Sequence, residues 1–116
     1  MDYNLKKLGE IAQGDQGFMQ EMLAIFVENV TTDVYSILSL KSAENWTAIA
    51  EIAHKLASNF AYLGANRLHD LAADIERRVI NENNLTGIAD KTEKLCNEGL
   101  VLVNQLKKDF DIVGIK

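Results

Sequence analysis

Hydrophobic residues recur at intervals of three and four along most of this chain, the pattern of helices that bury one face. The first run, Asn4 to Ala12, sets Leu5, Leu8 and Ile11 or Ala12 on one side before Gly14-Asp15 ends it. From Asp15, a residue suited to cap a helix N-terminus, the positions Met19, Met22, Leu23, Phe26, Val30, Val34, Ile37 and Leu38 keep the spacing going. They predict one amphipathic helix of about 26 residues, about 39 Å long. The polar stretch Ser42 to Asn45 interrupts it, and a third helix is predicted from about Trp46 to Tyr62. Leu63, Gly64 and Ala65 break that helix, with Gly64 suited to a left-handed C′ position. Asn66 then caps a helix carrying Leu68, Leu71, Ala72, Ile75 and Val79, which runs into a loop at Asn81 to Asn84. The last helix, from Thr86 or Ile88, turns Ile88, Leu95, Gly99, Leu102, Leu106 and Phe110 or Val113 inward. Gly99 lowers helix propensity there and is expected to permit close packing. Four long helices with short links and one stripe each predict an all-α fold, an antiparallel four-helix bundle with a short extra N-terminal helix.

One polar residue stands out against this pattern. With His54 set at 0° and about 100° per residue, the residues Ile52, Leu63, Leu56, Ile49, Phe60 and Ala53 occupy an arc of about 160 to 260°, the core-facing stripe. His54 lies opposite. Its neighbours one and two turns away are Ala50, Ala57, Ser58 and Ala61, where a solvated face would usually carry Lys, Glu and Gln. An outward histidine on a surface helix is most often only a solubilising residue, and alanine is the best helix former in any setting. Four small side chains around the one ionisable ring on that face point further, to an imidazole that another protein can approach.

Composition narrows the setting. The 116 residues fit a single domain spanning residues 1–116, and the absence of proline suits long helices with short loops. A net charge of −5 with no basic stripe argues against nucleic acid as the partner. Cys96 is the single cysteine, so no intrachain disulfide can form; it is expected in the core or at its boundary, in a reducing cytoplasm. The start, Met1-Asp2-Tyr3-Asn4, has no basic or apolar leader, and no window is expected to reach the length of a membrane span. The expectation is a soluble cytoplasmic monomer without a membrane association.

Ordinary enzyme chemistry finds little support. Glu51 and His54 form one Glu-x-x-His pair, the spacing of di-iron bundles, but His69 has Asn66 three residues before it. No second pair exists, and no metal is expected. His69 is expected to be a partly exposed surface residue. Nucleophilic triads, glycine-rich phosphate loops and zinc-ligand spacings are missing from the sequence.

The stretch from Ala53 to Glu76 resembles the signature of histidine-containing phosphotransfer (HPt) domains, in which Ala-His-x-Leu-Lys-Gly is followed by Leu-Gly-Ala and by leucines at helical spacing ending in an acidic residue. Ala53, His54, Leu56, Leu63, Gly64, Ala65, Leu68, Leu71 and Glu76 fall in register. Helix order and lengths extend the likeness to essentially the whole chain. The resemblance implies that His54 accepts a phosphoryl group from the aspartate of one receiver domain and passes it to another. It implies a response-regulator receiver domain or a hybrid histidine kinase as partner, and Mg²⁺ on that receiver with no cofactor on this chain. The alternative is a helical docking module that binds receivers without carrying phosphate.

The chemistry fits that reading on its own terms. Imidazole is largely neutral near neutral pH and offers one ring nitrogen as a nucleophile, and phosphoryl transfer depends mainly on positioning and charge neutralisation. Ala50, Lys55, Ala57, Ser58 and Ala61 are the expected docking and phosphate environment. Ala57 and Ser58 stand where the pattern has Lys and Gly. That removes the cation one turn from His54, leaves Ser58, at about 40°, as a hydroxyl donor, and makes Lys55, at about 100°, a poor substitute by angle.

Overall fold

Each predicted stripe meets a neighbour. In the structure, a computed structural model that describes residues 2–112, α1 spans Lys6–Ala12, α2 Gln16–Ser42, α3 Trp46–Tyr62, α4 Asn66–Glu76 and α5 Ile88–Phe110. The four long helices close a ring: α2 packs on α3, α3 on α4, α4 on α5, and α5 back on α2. Neighbours run antiparallel. Lys41 near the end of α2 meets Glu93 near the start of α5, while Gln20 near the start of α2 donates to the Phe110 carbonyl. Leu23, Val30 and Ile37 of α2, Leu56 and Phe60 of α3, Ile75 of α4, and Leu95 and Leu102 of α5 are sealed from solvent. Gly99 lies where α5 crosses α2 and α3, and a Cβ built there would stand 3.4 Å from Val34 and 3.6 Å from Phe60.

Local chemistry sets the helix ends. The Asp15 carboxylate accepts from the Phe18 N–H at 3.0 Å, and the Asn45 side chain accepts from the Ala48 N–H at 3.2 Å. Both occupy orphan donors of a first turn. Asn66 does not cap α4 as expected: Ala65 holds the cap position without a side-chain bond, and Asn66 is the first helical residue. Thr92, Cys96 and Val103 are buried on α5 beside the predicted stripe, and Thr92 bonds its hydroxyl to the Ile88 carbonyl of its own helix at 2.7 Å. Val113, the alternative inward residue, lies outside the described residues.

α2 overturns one expectation, since by length and composition it alone among the described helices could cross a membrane. Here its apolar positions Leu23, Val27, Val30, Val34 and Ile37 are buried against the other helices.

α4 gives way after Glu76 to one π-helical turn, Arg77–Asn81, closed by the Glu82 N–H on the Arg77 carbonyl at 3.0 Å. The widened turn keeps Val79 at the core and leaves Ile80 outside.

Gly64 does more than end α3. Its φ of 65° favours glycine, and the N-terminal segment lies directly on it: the Asn4 N–H donates to the Leu63 carbonyl at 2.9 Å. A Cβ at Gly64 would fall 2.3 Å from the Asn4 carbonyl oxygen. Gly64→Ala should therefore cost about 2 to 4 kcal/mol, from the left-handed backbone plus the clash. Gly87→Ala, with a similar φ of 68° and open space around it, should cost only the backbone share, about 1 kcal/mol. Urea unfolding of both variants checks this, and equal losses would mean that the N-terminal segment does not rest on Gly64.

Candidate functional site

His54 sits at the middle of α3, its side chain 68% exposed, with Nδ1 2.8 Å from Oε2 of Glu76 on α4. On its other flank, Lys55 Nζ lies 3.4 Å from Oδ1 of Asp33 on α2. The ring thus stands on a ridge between two helices, each supplying a carboxylate. On the α2 side, Asn29, Thr32 and Asp33 face His54, Lys55 and Ser58 across a polar groove of about 540 Å³.

The ring of small residues divides in two. Ser58 is exposed and Ala61 half-buried, so both remain available at the ridge. Ala50 is fully buried and Ala57 nearly so, which corrects the expectation that they belong to a surface a partner touches. The reason lies in the packing. Lys55, at positive wheel angle, meets α2; Ala50, Ala57 and Ala53 lie at negative angles, toward α4 and the Glu76 that reaches His54. Their small side chains accommodate the neighbouring helix rather than a visitor. Leu63 and Ala65 are buried, and Gly64 forms the turn between them.

Glu76 and Asp33 were not legible as site residues. Each belongs to a different helix from His54, and a single-helix wheel cannot show what a neighbouring helix brings. The one signal in the sequence is the acidic residue closing the motif, Glu76, whose register says nothing of a contact with His54. Glu51, the acidic residue three before His54, is exposed, and the carboxylate beside the ring is that of Glu76. His69 is half-buried, with Nδ1 3.0 Å from its neighbour Asp70. Cys96 is in the core; burial pushes its thiol up to about 11, with Lys41 opposing and Glu93 adding to the effect.

The Hpt domain family matches residues 21–111, the greater part of the chain and all of the ridge. The chain belongs to the Hpt domain family. Comparison with curated proteins and with solved structures finds no significant match. Hpt domains serve phosphorelay signalling in two-component systems, in which they work with receiver domains, and this places the present chain in signal transduction. Within the Hpt domain, α4 has to be held still for Glu76 to meet His54. Asp74, two residues earlier, does this by joining α4 to α5. It accepts from Arg78 at 2.9 Å, pairs with Lys91 at 3.2 Å, and also meets Arg77.

Burial alone would raise the Asp74 pKa, but the bonds and charges of Arg78 and Lys91 outweigh it and hold the carboxyl below its ordinary value. A carboxylate with a depressed folded-state pKa contributes stability above its unfolded pKa and loses it as pH falls through the folded one. Asp74→Asn should thus lower stability by about 1 to 2 kcal/mol at neutral pH. The gap to the parent should close as pH falls through the folded-state pKa of Asp74, which lies below the ordinary carboxylate value. Thermal unfolding across that range checks this, and a gap that persists in acid would mean that the charge of Asp74 is not what ties α4 to α5.

Proposed function

We propose that this Hpt domain carries a phosphoryl group on Nε2 of His54, taken from the phosphoaspartate of one receiver domain and handed to another. The observation that carries the reading is the exposed imidazole with Nδ1 against Glu76. A carboxylate at 2.8 Å favours the tautomer with the proton on Nδ1, which leaves the Nε2 lone pair free. That lone pair attacks phosphorus in line with the bond to the aspartyl oxygen. The N–P bond forms as the P–O bond breaks, and its electron pair leaves with the receiver's carboxylate. The ring then bears positive charge shared between its nitrogens, with its Nδ1–H turned to the Glu76 carboxylate. Transfer to the next aspartate reverses these steps.

Phosphoryl transfer depends mainly on positioning and charge neutralisation, and Mg²⁺ belongs, in this proposal, to the receiver's acidic pocket. The receiver closes over His54 from the side of Ser58 and Ala61, since Ala50 and Ala57 are covered by the fold. A monomer working in the cytoplasm, where a lone cysteine stays reduced, completes the proposal.

His54→Gln should abolish the acid-labile, base-stable phosphate formed on the chain by a phosphorylated receiver. Its thermal stability should stay within about 0.5 kcal/mol of the parent, as for most exposed positions. Phosphate retained by the variant would move the acceptor elsewhere; no phosphate on the parent, with receiver binding intact, would leave a docking module.

Ala61→Trp separates docking from chemistry. An indole on the approach side should slow transfer from a receiver about tenfold or more by steric exclusion, while phosphorylation by the small donor phosphoramidate continues at the parent rate. Equal receiver rates in variant and parent would remove Ala61 from the docking surface.

A further inference from the structure

Lys55 is the one cation lining the groove beside His54, where Glu28 and Asp33 of α2 are the carboxylates, and Glu76 stands on the other flank of the ring. Its side chain is 64% exposed, whereas Asp33, its partner at 3.4 Å, is only 11% exposed. The pair therefore joins a shielded carboxylate to a solvent-exposed ammonium. One turn beyond His54 the chain offers Ala57, which has no charge. The arginines after Glu76 are engaged, Arg77 with Asp74 and Glu82, Arg78 with Asp74.

We propose that Lys55 is the counter-ion of the phosphoryl group in this chain and that Asp33 competes for it, so the division of one ammonium between two anions sets how firmly His54 holds phosphate. This rests on His54 being the acceptor. The angle of about 100° between the two residues describes where their Cβ atoms leave the helix. A flexible four-carbon stem lets the ammonium sweep the space between them, and the shared groove shows that both side chains reach it. An ammonium has three N–H donors. It can keep one on Asp33 and turn others to phosphoryl oxygens, whose charge of about −1.5 to −2 outbids a carboxylate. Ser58 lines the same groove with a hydroxyl that can add a donor. Asp33 acts only through Lys55 and is a positioning residue.

The test is a ³¹P NMR titration of the full chain phosphorylated with phosphoramidate, from about pH 9 to 5, following the phosphohistidine resonance. A nearby cation favours the dianion and lowers the midpoint of phosphoryl protonation; a nearby carboxylate raises it. Lys55→Met should raise the midpoint by about 0.5 unit, about a threefold change in proton affinity. Lys55→Arg should stay near the parent, and Asp33→Asn should lower the midpoint in the parent but not in a Lys55→Met background. A drop that persists there would be direct repulsion by Asp33 and would overturn the competition. A fold-maintaining role alone would leave all these midpoints together, and circular dichroism of each variant checks that it is folded. An unchanged midpoint in Lys55→Met overturns the proposal, and an unchanged one in Asp33→Asn overturns the competition. A parent without the resonance, or a His54→Gln variant that keeps it, would instead reject His54 as acceptor, so the two failures are distinguishable.

Discussion

Everything at the ridge depends on how close α4 comes to α3. Glu76 reaches the imidazole only because the side of α3 that faces α4 is built from alanines: Ala50, Ala53 and Ala57 are all buried. α4 answers with the buried Ala72, and its cap residue Ala65 is buried as well. Small residues on both helices let the backbones approach, and dense packing fixes the separation, since interiors tolerate little change in volume. A larger side chain at Ala50 or Ala53 would push the helices apart and withdraw the carboxylate from the ring. The geometry of the ridge and the packing of the core are here one constraint.

The same constraint separates the parts of the molecule that are legible in its sequence from those that are not. Periodicity fixes what a helix hides, so the stripe of α3 and its limits, Trp46–Tyr62, emerge from the wheel without adjustment. The same wheel places His54 outward, where it is. What it cannot give is the distinction between a small residue that is open and one that is covered. Ala57 and Ala61 differ by only about 40° on the wheel, yet one is nearly buried and the other half-buried. That difference is made by a second helix. Capping at Asn66 failed for a related reason: the polar residue was one position late, and the tight turn at Gly64, pinned under Asn4, decided where α4 begins.

The two flanks of His54 have different characters. Toward α4 the ring meets a single half-buried carboxylate within a compact interface, held by the tie from Asp74 to α5. Toward α2 it borders an open groove whose polar side chains come from both α2 and α3. One side fixes the orientation of the ring and the other is free to vary in charge. Substitutions on α2 could thus retune the site without touching the helix that bears the histidine.

The π-helical turn after Glu76 draws a boundary along the chain. Residues up to Glu76 follow regular α-helical register, and the turn from Arg77 to Asn81, which still packs on α3, departs from it. An extra residue accommodated in a widened turn shifts every later side chain by about 100° relative to a continuous α-helix. The face that serves His54 is therefore uncoupled in register from the face that closes the bundle. Insertions and deletions in the loop beyond Asn81 can rotate the downstream segment, while the glutamate upstream keeps its aim.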